Sequence, residues 1–303
     1  MAQSSAPALS LPASGAVLEL LKPVTWFPPM WAFGCGVVSS GVALGDHWAL
    51  ALAGVVLAGP LLCASSQATN DWFDRHVDAI NEPQRPIPSG RIPGRWGLYL
   101  AIFWSLASLG AAALLGPVVL LAAALGVALS WAYSAPPLRL KRNGWWGNAA
   151  VGLSYEGLAW LTGAAVMLGG AMPPLPVLLL ALLYSVGAHG IMTLNDFKAM
   201  DGDRRMGVRS LPIQLGEHGA ARVCCLMMAL PQALVVALLL AWQRPLHAAI
   251  VAALLLLQGA LMLRFLAAPR ARALWYSALG VNFFVLGMLA AAFGVRALAA
   301  GAA

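Results

Sequence analysis

Charged residues are scarce in this sequence. Only 10% of its 303 residues are Asp, Glu, Lys or Arg, whereas 61% are hydrophobic, and the mean hydropathy is +0.79. Soluble globular proteins carry about 25% charged residues, and so few charges cannot cover a soluble particle without leaving large exposed apolar patches. The composition therefore excludes a soluble globular fold and predicts a polytopic helical membrane protein.

Cysteine is also rare. The four cysteines form no C-x-x-C pair and show no spacing typical of a metal site. All of them lie inside apolar stretches, where a thiol behaves as a small apolar side chain. We therefore interpret Cys35, Cys63, Cys224 and Cys225 as packing residues, which excludes a disulfide scaffold.

Long apolar stretches, in contrast, are abundant. About 20 apolar residues cross a bilayer as a helix, and we expect nine such spans near residues 24–44, 48–69, 96–115, 117–133, 148–169, 175–194, 219–241, 246–266 and 274–295. Residues 1–22 are expected to form a short polar, flexible tail. Residues 23–303 are expected to form one transmembrane domain, with pseudo-repeat halves at about 23–147 and 148–270 and a last helix at about 274–295.

The basic residues predict the orientation of these spans. Lys and Arg (18) outnumber Asp and Glu (11), an excess that in a soluble protein would indicate a nucleic-acid partner. Here 16 of the 18 bases fall on one face of the predicted topology, and only Arg244 and Arg296 fall on the other. Because the base-rich face of a membrane protein is cytoplasmic, we expect a cytoplasmic N-terminus and no nucleic-acid binding.

Two acidic clusters lie on the same base-rich face. Asn70, Asp71, Asp74 and Asp78 continue directly from the second span, and the three acids share one helical stripe because they are spaced i, i+3, i+7. Like charges stacked in this way repel one another unless a cation lies between them. The stripe therefore indicates a cation site.

The second acidic cluster follows the sixth span and opens in the same way, with Asn195, Asp196 and an aromatic residue, followed by Asp201 and Asp203. Carboxylates from two helix ends are hard oxygen ligands that suit Mg²⁺, an ion that commonly bridges protein carboxylates to phosphates. Bases suited to phosphate lie nearby in the sequence. These candidates for diphosphate binding are Arg85, Lys141, Lys198 and Arg209.

These residues together predict an Mg²⁺–diphosphate site at the cytoplasmic face, open to lipid-soluble substrates. A diphosphate beside an apolar cavity indicates a prenyl diphosphate. The metal would neutralise the leaving group, and aromatic side chains could stabilise an allylic cation.

Three longer strings carry a resemblance to a known family. The pattern Asn70-Asp71-x-x-Asp74-x-x-x-Asp78 resembles the first Asp-rich motif of the UbiA-type intramembrane prenyltransferases. The strings NDWFDRHVDAINEPQRPIPSGRI (70–92), YSAPPLRLKRNGWWGN (133–148) and NDFKAMDGDRRMGVRSLPIQLG (195–216) resemble the chlorophyll/bacteriochlorophyll synthase branch of that family. The string SYEGL (154–158) resembles the bacteriochlorophyll side of that branch.

The resemblance implies a bundle of nine helices around a central cavity. It also implies Mg²⁺-dependent esterification of the propionate of bacteriochlorophyllide a, or of chlorophyllide a, with a geranylgeranyl or phytyl group. Asn70 would contact the diphosphate, and Asp71, Asp74 and Asp196 would be the catalytic acids. Metal ligands would come from these three acids together with Asp78, Asp201 and Asp203, although the second cluster lacks an Asp-x-x-x-Asp spacing.

Two residues inside predicted spans are candidates for contact with the tetrapyrrole. Glu156 is a carboxyl group within the fifth span, where ionisable residues are usually functional, and it could either orient the macrocycle or form a hydrogen bond within the bundle. His189 could ligate the central Mg²⁺ of a macrocycle, or it could be an ordinary hydrogen-bonded core residue.

Two alternatives stay open. Paired half-repeats with charged helix ends also describe transporters, although here the acids lie at one membrane face rather than at midplane. A sibling transferase that prenylates a quinone precursor or haem is the second alternative. We expect the protein in the bacterial inner or intracytoplasmic photosynthetic membrane, in contact with lipid and as a candidate partner of pigment-pathway or light-harvesting proteins.

Overall fold

The structure is a computed structural model that describes residues 11–300. Every regular element in that range is helical, apart from an isolated pairing of Asn143 with Arg209. The α-helices are α1 (Ser14–Leu21), α2 (Phe27–Ser39), α3 (Trp48–Val56), α4 (Ala64–Asn81), α5 (Trp96–Leu115), α6 (Pro117–Ser134), α7 (Gly144–Gly152), α8 (Ala159–Met167), α9 (Leu175–Met206), α10 (Leu211–Ala241), α11 (Pro245–Ala267) and α12 (Pro269–Ala300).

Two wider π-helical segments interrupt otherwise continuous helices. Leu57–Cys63 joins α3 to α4 and contains Pro60, which lacks the N–H that an α-helical ladder requires. Leu153–Leu158 joins α7 to α8. Such π turns are rare and are frequently found at functional sites.

The number of membrane-spanning helices differs from the expectation. Within the described range, seven helices are long and apolar enough to cross a membrane, namely Gly45–Asn81, Trp96–Leu115, Pro117–Ser134, Leu175–Met206, Leu211–Ala241, Pro245–Ala267 and Pro269–Arg296. The expected nine was wrong. Helix α2 has 13 residues, and at about 1.5 Å per residue it extends about 20 Å, less than the ~30 Å hydrocarbon core.

The second missing span is the helical stretch that runs from α7 to α8. It contains Asn148, Tyr155 and Glu156, polar residues that lower its apolar character below that of the seven spans. Both stretches pack against other helices, and α8 is almost entirely buried. Trp160 in α8, for example, is fully buried and stacks on Tyr184 of α9 with ring centroids 5.6 Å apart.

The tail that we expected to be flexible contains helix α1. Its residues Ala16, Leu20 and Leu21 are buried, and they pack with Ala64 and Ala68 of α4. The expectation of flexibility was therefore wrong for this part of the tail, because α1 presents an apolar face to α4. Residues 1–10 lie outside the described residues.

Helices α2 and α8 approach each other closely through two glycines. A Cβ added at Gly36 would lie 2.1 Å from the carbonyl oxygen of Trp160, and one added at Gly163 would lie 2.1 Å from the carbonyl oxygen of Phe33. Because backbone atoms fill the space on both sides, a side chain at either glycine would force one of the helices to move, at a cost in packing energy. Glycine is what allows this contact, as it does in many membrane helix pairs.

Substitution of Gly36 tests this contact. We expect Gly36→Ala to destabilise the protein by about 1–3 kcal/mol, the usual cost of overpacking, and to lower the thermal unfolding midpoint in detergent. Gly259→Ala in α11 is the matched control, because a Cβ there meets nothing within 4 Å. Equal midpoints for the two variants would contradict the close approach of α2 and α8.

Candidate functional site

A cavity of about 460 Å³ lies inside the helix bundle. Its apolar part is lined by small or aliphatic side chains, among them Ala58, Leu62, Ala122, Gly126, Leu129, Leu158 and Ala159. Asn70 of α4 and Asn195 of α9, the residues that open the two acidic clusters, also line it. The two clusters therefore meet at one cavity, as their similar sequences indicate.

The acids of the first cluster lie on α4 and are compensated by bases from other segments. Asp71 is buried, and its Oδ1 accepts a hydrogen bond from Nζ of Lys22 at 2.6 Å. Nη1 of Arg85 lies 3.5 Å from the same oxygen and 2.9 Å from Oδ2 of Asp78. Lys22 is one of the 16 bases assigned above to the base-rich face, and its place beside Asp71 was not predicted.

Arg85 was expected to bind diphosphate, and in the structure it holds carboxylates. Besides Asp71 and Asp78, it donates through Nε to Glu82. Partial burial opposes its charge, but Asp71 and Asp78 outweigh that effect and raise the pKa of Arg85. The guanidinium therefore stays charged and next to the position expected for a phosphate group.

Lys141 compensates the third acid of the α4 stripe. It reaches in from the segment between α6 and α7, and its Nζ donates to Asp74. Burial lowers the pKa of Lys141, whereas the carboxylate of Asp74 acts in the opposite direction. The three acids of one helix thus have three separate bases, a consequence of the mutual repulsion of the acids.

The second cluster lies on α9, which continues unbroken to Met206. Oδ2 of Asp196 accepts hydrogen bonds from Nδ2 of Asn148 at 3.1 Å and from the backbone N–H of Leu211 at 3.4 Å. Asp203 is seven residues, or about two turns, further on, and it is buried, whereas Asp196 is partly buried.

Asp201 differs from these two acids. Asp201 follows Asp196 by five residues, which is about 1.4 helical turns. Its side chain therefore points to another side of α9. Its side chain is 67% exposed and accepts a hydrogen bond from Nη2 of Arg270 at 2.7 Å. The geometry thus separates Asp201 from the other acids, a distinction that the sequence spacing left open.

Lys198 and Arg209, the remaining candidate bases, are both exposed. The backbone of Arg209 nevertheless joins two functional segments. Its N–H donates to the carbonyl of Arg142 at 2.9 Å, and its carbonyl accepts from the N–H of Gly144 at 2.8 Å. This pairing holds the segment that carries Lys141 beside the end of α9.

Tyr133 is a further residue at this cavity and was not among the predicted site residues. It lines the cavity at the end of α6 and lies within electrostatic range of Asp74 on α4 and of Asp196 and Asp203 on α9. The signal in the sequence was its position at the start of the string 133–148. Tyr133 and the first residues of the two clusters, Asn70 and Asn195, thus line the same cavity.

The donor set fits a hard divalent cation. Carboxylate oxygens are the ligands that Mg²⁺ prefers, and Oδ2 of Asp71 is buried without a hydrogen-bond partner. In the part of the chain that the structure describes, no three acids, His or Cys converge as a ready metal-ligand group. Instead, Lys and Arg side chains form ion pairs with several of the acids. That the acids of the two clusters bind a metal ion stays a prediction.

The two candidates for tetrapyrrole contact occupy different places. Glu156 is buried and lines the cavity. His189 is buried as well, but it is not one of the cavity-lining residues, and its ring packs against Trp145 with centroids 5.6 Å apart. The geometry thus supports a contact to a cavity ligand for Glu156 and places His189 in the packing between α7 and α9.

Comparison with known proteins shows where this architecture occurs. The profile of the UbiA prenyltransferase family matches residues 25–288. The chain is 55% identical over 289 residues to the bacteriochlorophyll synthase 33 kDa chain of Cereibacter sphaeroides, with 95% of each chain covered. It is 40% identical over 288 residues to the chloroplastic chlorophyll synthase of Arabidopsis thaliana, covering 91% of this chain and 73% of that protein.

A solved structure shares the fold. The UbiA homologue of Archaeoglobus fulgidus, determined with GPP and Mg²⁺ bound, superposes with a TM-score of 0.68 at 20% identity, covering 90% of this chain and 99% of the other. At this identity the likeness concerns the fold alone. It agrees with the helical architecture around the cavity.

The different settings of Asp196 and Asp201 lead to a test. Mn²⁺ replaces Mg²⁺ at oxygen-ligand sites, and its binding in the presence of inorganic diphosphate can be followed by electron paramagnetic resonance. We expect Asp196→Asn to weaken Mn²⁺ binding at least about tenfold, since even residues that only orient metal ligands contribute 10–100-fold. Asp201→Asn, which loses only an exposed ion pair, should leave it unchanged. An equal loss in both variants would place Asp201 in the metal site.

Proposed function

Because this chain belongs to the UbiA prenyltransferase family, we propose that it esterifies the propionate of a chlorophyllide with a prenyl group and releases diphosphate. The acceptor is bacteriochlorophyllide a or chlorophyllide a, and the donor is geranylgeranyl or phytyl diphosphate. The observation that carries this proposal is the similarity to the bacteriochlorophyll synthase chain over nearly the whole length of both proteins.

The reaction requires little proton transfer. The propionate is already ionised at neutral pH, so its oxygen can form the ester bond to C1 of the prenyl chain directly. The bond between C1 and the diphosphate oxygen breaks, and its electron pair leaves with the diphosphate. The protein therefore has to stabilise the leaving group and to hold the two reactants in line.

The charged residues at the cavity supply the first of these needs. Bound Mg²⁺ would neutralise part of the charge on the diphosphate, and Asp71, Asp74, Asp196 and Asp203 have the oxygen ligands to hold it. Lys22, Arg85 and Lys141 already lie within contact of the first-cluster acids. A short movement of these bases from carboxylate to phosphate would compensate the charge that develops on the leaving group.

The enzyme is an integral membrane protein, and we place its active site on the cytoplasmic face of the bacterial inner or photosynthetic membrane. The support for this orientation is the distribution of Lys and Arg, since the base-rich face is the cytoplasmic one. Asn70 and Asn195, which open the two acidic clusters, line one cavity, and Lys22, Arg85 and Lys141 contact the acids of the first cluster. A water-soluble diphosphate product would then leave directly to the cytoplasm.

An activity assay tests the proposed function. We expect purified protein in detergent to form pigment esters from bacteriochlorophyllide a or chlorophyllide a with geranylgeranyl or phytyl diphosphate, in the presence of Mg²⁺ but not of EDTA. Chromatography of the pigments identifies the ester and thereby both specificities. Prenylation of a quinone precursor or haem, with no pigment ester formed, would contradict the proposal.

Removal of the buried acid of the first cluster is the matching mutational test. We expect Asp71→Ala to lower turnover at least about 100-fold, because metal-ion stabilisation of charge contributes several kcal/mol. Asp46→Ala is the control. Asp46 is exposed and lies at the start of the continuous helix Gly45–Asn81, whereas Asp71 lies near its other end. In detergent, the two variants should elute from a gel-filtration column at the same volume and should have the same thermal unfolding midpoint. An active, folded Asp71→Ala enzyme would refute the site assignment.

A further inference from the structure

The two π-helical segments meet at one wall of the cavity. Ala58, Leu62 and Cys63 of the first segment line the cavity, as do Tyr155 and Glu156 of the second. The segments are joined by a contact between Sγ of Cys63 and the hydroxyl oxygen of Tyr155 at 3.3 Å. A π turn displaces side chains from the regular α-helical positions, and here two such turns direct polar groups into the same space.

The hydroxyl of Tyr155 is held in place by α4. Its oxygen accepts a hydrogen bond from Nε2 of Gln67 at 3.0 Å. Its second neighbour is Cys63, whose thiol also lies 3.4 Å from the carbonyl oxygen of Thr25. Ser66 is a further neighbour, and its hydroxyl donates to the carbonyl oxygen of Cys63 at 2.7 Å. A thiol is only a weak acceptor, and the Tyr155 hydroxyl donates to no acceptor within 3.5 Å among the described residues. It is available to an oxygen that enters the cavity.

The contact with Gln67 shows how deep in the cavity the Tyr155 hydroxyl lies relative to the acids of α4. Gln67 precedes Asn70 by three residues and Asp71 by four, so the three side chains share one side of the helix. One turn corresponds to about 5.4 Å along the axis. If diphosphate binds at Asn70 and Asp71, the carbon attached to it lies about one turn deeper, at the level of Gln67 and Tyr155.

We propose that the hydroxyl of Tyr155 binds the carboxylate of the acceptor and holds it against C1 of the prenyl chain, with Gln67 and Cys63 as positioning residues. This proposal rests on the proposed function and assigns the acceptor part of the same site. The ligand class is an alkyl carboxylate attached to a large apolar ring. In the reaction a carboxylate oxygen forms the bond to C1, diphosphate leaves with the electron pair, and Tyr155 keeps its proton.

A neutral donor suits this task. The carboxylate must lose its water to enter an apolar cavity, and an unpaired charge there is unfavourable. A hydrogen bond from a neutral hydroxyl compensates the carboxylate without placing a second full charge beside the developing allylic cation. The bases Lys22, Arg85 and Lys141 contact the acids at the polar end of α4, where they face the leaving group.

Binding measurements without donor test the proposal directly. Bacteriochlorophyllide a and its propionate methyl ester differ only in the charge and hydrogen-bonding capacity of the group in question, and pigment fluorescence reports their binding. We expect wild-type protein to prefer the acid and Tyr155→Phe to reduce this preference about tenfold or more, the usual effect of a hydrogen bond to a charged group. In turnover, the KM for the acceptor should rise while the KM for the prenyl diphosphate stays unchanged.

Tyr276→Phe is the matched control. The hydroxyl of Tyr276 is also buried and accepts from Nε2 of Gln258 at 3.1 Å, but it lies in the packing of α10, α11 and α12 rather than at the cavity. This variant loses the same hydroxyl group and should keep the acid preference. It thus separates loss of stability from loss of acceptor recognition.

Two results would overturn the proposal. One is an unchanged acid preference in Tyr155→Phe, including the case in which only the unfolding midpoint falls. The other is normal turnover in Tyr155→Phe together with loss of turnover in Tyr155→Leu, which would assign the aromatic face to the allylic cation. Failure of the proposed function itself is distinct, since wild-type protein would then form no pigment ester.

Discussion

The repulsion among three carboxylates on one helix is the constraint on which the acidic end of the cavity depends. Asp71, Asp74 and Asp78 share a side of α4, and two of them are buried. Because buried charges require partners, the structure places a base against each acid, from the segment after α1, from the segment between α4 and α5 and from the segment between α6 and α7. The charge of one helix thus determines where three connecting segments lie.

The same ion pairs bring together the groups that the proposed charged ligands would need. The bases that compensate the acids are also the groups that a diphosphate requires, and a divalent cation requires the acids. Exchange of partners on binding needs only short movements of long side chains. The ion pairs therefore account for the stability of the buried acids, and under the proposed function the same groups would hold the diphosphate and the cation.

Two features shape the cavity, namely the close packing of α2 against α8 and the two π-helical segments in its wall. Glycines let α2 and α8 meet backbone to backbone, whereas the two π turns keep polar side chains directed into the remaining space. Apart from the carboxyl group of Glu156, which lines the cavity, the charged side chains of the site lie at the polar end of α4 and α9. Neutral hydroxyl, amide and thiol groups occupy the level below it, and small aliphatic side chains line the rest of the cavity.

Sequence alone determined the membrane class, the helical fold, the family and the composition of the two acidic clusters, because these depend on residue types and on spacing along one helix. It predicted nine spans where seven qualify, and it took the segment of α1 for a flexible tail, because length and packing partners are not visible in composition. Several contacts join residues that are far apart in the chain. They are the pairing of Lys22 with Asp71, the place of Tyr133 in the wall of the cavity, and the hydroxyl of Tyr155 beside Gln67. The separation of Asp201 required the finding that α9 continues to Met206. Only the tertiary structure could decide these points, because contacts between distant segments depend on how helices pack and which charges they must compensate.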